Sequence, residues 1–188
     1  MIEQFIGIDP GQDGGAAVLE KTANKELILR RTVSFKKSRN WAHELLVVIE
    51  DYTMYGPHKI VLERVHSMTG NGAKSSWSFA ENNGAIKAIL QIANAQRIEP
   101  LTIIYVEPTD WPLVIGLPKH RSVVDPRKRR EARRVSQEQW AKALFPGLAD
   151  WNAKEEGDIY AAVLIAFSQY RRQFSQAENI ELASSLPH

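Results

Sequence analysis

The sequence predicts an α/β layer fold built on a five-stranded mixed sheet, and three observations predict it. Short apolar runs bounded by turn residues recur along the first 106 positions, at 5–8, 16–19, 27–35, 59–63 and 101–106. Longer stretches with apolar residues at helical spacing separate the later runs. The first three runs follow one another through short turns, as an antiparallel meander does. The fourth and fifth are each entered from a helix, which implies parallel pairing.

Phe5-Ile6-Gly7-Ile8 is a buried strand stopped by Asp9-Pro10-Gly11. Ala16 to Leu19 and Leu27 to Phe35 are the next two strands, with a turn near Asn24. Trp41, Leu45, Val48, Ile49 and Tyr52 place an amphipathic helix over about 39–54, ended by Gly56-Pro57. The fourth strand is Lys59 to Glu63; a loop marked by Gly70, Asn71 and Gly72 leads into a long helix over 75–96. The fifth strand is 101–106. Residues 107–134 hold four prolines and read as mostly irregular. A short helix over 137–144 stops at Phe145-Pro146-Gly147, and the last helix spans 154–172. Residues 1–173 read as one domain and 174–188 as a loose tail.

Hydrophobic residues make up 44% of the 188, enough for a proper core. There is no cysteine, which excludes disulfides and thiolate metal sites. No apolar run approaches the ~18–20 residues that span a bilayer, and the N-terminus lacks a basic signal region, so a cytoplasmic protein without membrane contact is expected. Net charge is only +2, but Lys119, Arg121, Arg127, Lys128, Arg129, Arg130, Arg133 and Arg134 crowd one stretch while the rest of the chain is net acidic. Such a block suits a localised polyanion contact; a solvated loop and helix start is the bland reading.

Asp9 and Glu63 each end a strand, where open α/β sheets place their sites. An aspartate is disfavoured in a strand, and burying one is costly unless it is paired or holds a metal. The last helix opens Lys154-Glu155-Glu156-Gly157-Asp158. Glu155 and Asp158 are three apart and share a helical face, with Glu156 turned away. Acids also favour a helix N-terminus by ~0.3–1 kcal/mol each, which explains any one of them without chemistry. Together Asp9, Glu63, Glu155 and Asp158 offer four oxygen ligands, suited to Mg²⁺ or Mn²⁺. Two such ions ~3.5–4 Å apart clamp the attacking and leaving oxygens of a phosphodiester.

These residues resemble a known family. Ile6-Gly7-Ile8-Asp9-Pro10-Gly11 is similar to the first motif of RuvC-like Holliday junction resolvases, in the RNase H-like superfamily, and Gly14-Gly15 is similar to its phage and prophage branch. Leu62-Glu63-Arg64-Val65-His66-Ser67-Met68 resembles the second acidic strand, and Val106-Glu107-Pro108-Thr109-Asp110-Trp111 the strand, proline and tryptophan element. Ala141, Leu144, Phe145 and Pro146 resemble the short penultimate helix, and Ala161 to Ala166 the last one. The resemblance runs in order over about 4–168. It implies an RNase H-like fold and a homodimer that binds branched DNA. It also implies paired symmetric nicks across a four-way junction, leaving 5′-phosphate and 3′-hydroxyl ends.

By motif position Asp9 and Glu63 carry over as catalytic metal ligands. The family's second late acid falls where this chain has Tyr160-Ala161. Either Asp158 matches the first of that pair and the second is missing, or Glu155 and Asp158 form the pair; the shared face favours the latter. The loop after Glu63 would face the junction centre, making His66 and Met68 candidate wedges. Lys74, Lys119, Arg127, Lys128, Arg129 and Arg130 are candidate phosphate contacts. Trp77 and Phe79 read as core or dimer interface, and Trp111 as structural. The competing readings are another RNase H-like nuclease, acting on flaps or RNA–DNA hybrid, and a junction-binding protein that does not cut.

Overall fold

Period-two alternation sorts the strand side chains onto two faces, and each face carries its own layer of helices. The computed structural model describes residues 2–54, 56–64, 73–151 and 159–174, with the backbone alone for 73–76, 78 and 79. Five strands form one sheet: β1 (Glu3–Asp9), β2 (Gly15–Lys21), β3 (Leu27–Ser34), β4 (His58–Glu63) and β5 (Ile103–Val106). Their order is β3-β2-β1-β4-β5. β1 pairs antiparallel with β2 and β2 with β3, while β1–β4 and β4–β5 are parallel. This is the expected α/β fold with a mixed five-stranded sheet.

Ile6, Ile8, Val18, Ile60 and Leu62 face a layer made by α1 (Trp41–Thr53) and α2 (Ala73–Ala95). Phe5, Ala17, Leu19, Val61 and Val106 face the opposite layer. That layer consists of α3 (Trp111–Ile115), α4 (Pro126–Leu144) and α5 (Tyr160–Phe174). Helix α5 is apolar almost all round, and every residue from Ile159 to Ser168 is buried. A helix of that kind belongs between layers, and α5 runs across β1, β2 and β4 with α3 and α4 outside it. No helix among the described residues is long and apolar enough to cross a membrane.

Two boundaries differ from the sequence expectation. Most of the basic stretch is helical, since α4 begins at Pro126 and not near Gln137. The Asp125 carboxylate accepts from the Arg127 and Lys128 backbone N–H groups at 2.8 and 3.4 Å, and Pro126 occupies the first turn. An aspartate N-cap followed by proline is a helix start, outweighing the four prolines that suggested irregular chain. The last helix begins at Tyr160, with Ile159 non-helical and its carbonyl accepting from Val163. Gly157 is a weak helix former, and the unbroken apolar run starts only at Ile159.

Candidate active site

Asp9 and Glu63 reach the same place through strand parity and register. Phe5 and Val61 face the α3–α4–α5 layer, so Gly7 and Asp9 on β1, and Glu63 on β4, face it too. The parallel register aligns Ile6 with Ile60 and Ile8 with Leu62, and the next position on each strand is Asp9 and Glu63. Two carboxylates therefore sit side by side at the carboxyl ends of the two central strands. Glu107, just past the end of β5, is instead ion-paired with Arg64 at 3.1 Å.

The turn after β1 wraps around Asp9. The Gly11 N–H donates to Asp9 Oδ1 at 2.9 Å, and the Gly14 N–H donates to the Gly11 carbonyl at 3.0 Å. A Cβ on Gly14 would lie 2.4 Å from the Asp9 carbonyl oxygen, so only glycine lets the chain fold back so tightly. Asn82 of α2 donates to the Gly11 carbonyl at 3.3 Å and ties the turn to the opposite layer.

Two residues hold the site from the α3–α4 side. The Trp111 indole N–H donates to Glu63 Oε1 at 3.0 Å, and the Trp111 ring is fully buried. Arg133 lies over that ring, its guanidinium carbon 5.6 Å from the centroid, and donates to the Pro108 carbonyl at 3.1 Å. Burial, then the charge of Glu63, pushes the Asp9 carboxyl up from 3.8 to about 7, against the Gly11 N–H and Arg133. Burial likewise raises Glu63, against the Trp111 hydrogen bond and Arg133. Two desolvated carboxylates that resist joint ionisation are a donor set that a hard divalent cation fits. Among the described residues no third acid or histidine joins them in a cluster.

The structure brings together Asp9 and Glu63 from the expected set. Glu155, Asp158, His66 and Met68 lie outside the described residues, as do Glu156 and the tail; Lys74 is in the first turn of α2, its side chain also outside them. Lys119, Arg127, Lys128, Arg129 and Arg130 are exposed on the loop before α4 and on its first turns. Trp77 is 69% exposed, so it is not core. Arg133 and the Glu63-bound indole of Trp111 were missed as site groups. The signal for Arg133 was helical spacing: Ser136, Gln137 and Trp140 form the buried face of α4, and Arg133 continues it one turn earlier.

No family model and no curated protein matches this sequence. Solved structures do match. RuvC of Thermus thermophilus in complex with a Holliday junction substrate superposes with a TM-score of 0.56 at 13% identity, covering 93% of this chain and 97% of that one. A second Thermus thermophilus RuvC structure gives 0.53 at 12%, covering 92% and 96%. The yeast mitochondrial Holliday junction resolvase Ydc2 gives 0.50 at 12%, covering 95% and 84%. The chain has the RuvC-type, RNase H-like fold.

Proposed function

We propose that this chain is a metal-dependent endodeoxyribonuclease that resolves four-way DNA junctions by paired symmetric nicks, working as a homodimer. The observation that carries the reading is the convergence of Asp9 and Glu63 at the ends of adjacent parallel strands, within a fold shared with junction resolvases. Asp9 and Glu63 would hold Mg²⁺ or Mn²⁺, two per site, with Glu155 and Asp158 completing the ligands. Support for the late acids comes from Ile159, to which Asp158 is bonded. A Cβ on Gly15 would meet the Ile159 side chain at 3.0 Å, and Gly15 is the β2 partner of Asp9.

When bound, such ions polarise the phosphodiester and lower the pKa of the attacking water. The chain's own part is positional. The Gly11 N–H fixes one Asp9 oxygen and the Trp111 N–H one Glu63 oxygen, leaving the remaining oxygens for metal. Arg133 favours the ionised form of both acids. Replacing Trp111 by Phe keeps a buried aromatic ring but removes the N–H donor together with the pyrrole half of the indole. We expect Trp111→Phe to weaken Mn²⁺ activation of cleavage by about 10–100-fold, the usual cost of losing an orienting partner. A titration of rate against Mn²⁺ reads it, and an unchanged midpoint would leave Trp111 with a packing role alone.

Helix α4 supports the DNA contact. Arg127, Lys128 and Arg130 are exposed, and no ion pair joins them to a described acid. Neutralising Arg127, Lys128, Arg129 and Arg130 should weaken junction binding and flatten the log–log salt dependence by ~0.9 for each phosphate that the chain no longer neutralises. An unchanged slope assigns these side chains to solvent. The dimer is supported by α2, where Trp77 and Ile92 are 69% and 50% exposed with the unobstructed Gly84 two turns from each.

The reading is tested by incubating the chain with a synthetic four-way junction beside a linear duplex, in Mg²⁺, in Mn²⁺ and in EDTA. Nicked duplexes with ligatable ends, from the junction only and only with metal, are expected. Equal cutting of the linear duplex would overturn it, and preferred cutting of a flap or an RNA–DNA hybrid would move the chain to another nuclease class. Junction binding without cutting in either metal would make it a binding protein.

A further inference from the structure

One edge of the sheet is β3, which pairs with β2 on one side, and among the described residues no strand pairs with its other side. The Thr22 N–H donates to the Glu26 carbonyl at 2.8 Å across the β2–β3 turn, and bonded positions alternate along antiparallel strands. Leu27 and Leu29 therefore direct their backbone N–H and C=O groups outward, and among the described residues no group outside the sheet bonds them. Beside this edge runs a groove of about 470 Å³ whose far wall is Leu144, Phe145, Leu148 and Trp151. Leu27 and Leu29 face the same layer as that wall. Arg31 faces the other way, because it shares a face with its β2 partner Val18, which packs on the α1–α2 layer. Arg30 and Arg31 form the rim, and among the described residues no acid lines the groove. Arg30 pairs with Glu20 at 2.6 Å, whereas Arg31 is exposed and no described acid pairs with it. An edge that is apolar on one face and cationic on the other fits an added strand in which apolar side chains alternate with an acid.

The chain leaves the described fold beside this groove. Helix α5 ends at Phe174, and Lys21 Nζ lies 3.4 Å from the centre of the Phe174 ring. Lys21 is the β2 partner of Leu27, the first residue of β3. A strand beyond β3 would lie two spacings of ~4.8 Å from β2, within the ~17 Å that five extended residues span. Five residues after Phe174 the sequence reads Ile180-Glu181-Leu182, the pattern the edge calls for. We infer that residues 179–183 of this chain add a sixth strand at the outer edge of β3, with Ile180 and Leu182 in the groove and Glu181 on Arg31. A second copy fits less well, since pairing β3 with β3 would set arginines against arginines. The larger cavity beside α1 and the start of β4 also fits less well, since Glu3, Glu50 and Glu99 line it and repel an acidic segment. The tether holds the segment at about millimolar effective concentration, and the added strand covers an edge that would otherwise template aggregation.

Amide hydrogen exchange on the full chain tests this. The Leu27 and Leu29 amides should exchange at least ~10-fold faster in the Ile180→Asp/Leu182→Asp variant than in the wild-type chain, with the β1 amides unchanged. Arg31→Glu should speed the same two amides, and adding Glu181→Arg should slow them again. Equal exchange in the wild-type chain and the double aspartate variant would overturn the inference. The chain has no cysteine of its own, so an introduced pair reports position cleanly. Ile28→Cys with Asn179→Cys should close a disulfide within one chain under oxidised glutathione, because both positions lie on the Arg31 face. A disulfide that forms only between two chains would make a second copy the occupant. Faster closure of Asn179→Cys onto Glu99→Cys would put the segment in the larger cavity. Either result would overturn the inference.

Discussion

Asp9→Asn should abolish metal-dependent cutting, by at least ~10²-fold, and leave junction binding intact or slightly tighter. The loss is of the size expected when charge stabilisation of a transition state is removed. Binding would survive because, on the proposed reading, Asp9 would face a metal ion and not a phosphate, and removing its negative charge would relieve repulsion of the DNA. The fold survives because the asparagine side-chain carbonyl still accepts from the Gly11 N–H.

The same substitution has a stability signature with a definite sign. Without metal the Asp9 carboxyl is pushed from 3.8 to about 7, above its unfolded value, so the folded chain holds its proton longer than the unfolded chain does. The penalty from this group is absent below about pH 4, grows as pH rises towards about 7 and is constant above that. Glu63 is raised too and acts in the same direction. Metal-free D9N should therefore melt above the wild-type chain at about pH 8, with the gap closing towards about pH 4. Mn²⁺ should raise the melting temperature of the wild-type chain by mass action and leave that of D9N almost unmoved. A near-normal cutting rate in D9N would place the site elsewhere. Lower metal-free stability of D9N at about pH 8 would make Asp9 a structural anchor.

The legible parts of this protein are those set by local patterning. Period-two alternation and the Asp-Pro-Gly turn were enough to place Asp9 and Glu63 at neighbouring strand ends, because parity and register follow from spacing alone. Helix α4 was legible in principle from Asp125-Pro126, yet the density of prolines around it argued for loop. That single boundary hid Arg133, whose inward direction depends on the helix running back to Pro126. The role of Trp111 was not legible, because a buried indole packs equally well whether or not its N–H finds a carboxylate. Trp77 shows the converse: an aromatic in an apolar-looking helix stands 69% exposed, because helical spacing does not reveal which face has a partner.

The largest stability effect should come from Gly7→Ala, and it also bears on the site. Gly7 lies two residues before Asp9 on the same face of β1, directly beneath α5. A Cβ there would be 2.0 Å from the Ala162 carbonyl oxygen and 2.6 Å from the Ala166 nitrogen. Overpacking usually costs ~1–3 kcal/mol because side chains give way. Here the obstacle is helix backbone, and every residue of α5 up to Ser168 is buried, so this part of the helix has nowhere to retreat. We expect a loss above ~3 kcal/mol, at the upper end for single substitutions, read by denaturant unfolding. Ala166→Gly should not rescue it, since that change relieves only the 3.0 Å approach to the Ala166 Cβ and leaves the two backbone clashes. Rescue by Ala166→Gly would mean that α5 is not seated on Gly7 as described. Because Ile159 leads into α5 over Gly15, the partner of Asp9, a displaced α5 would also disturb the strand pair that carries Asp9. Gly7→Ala should then weaken Mn²⁺ binding even under conditions where the variant remains folded, which would tie the seating of one helix to the proposed metal site.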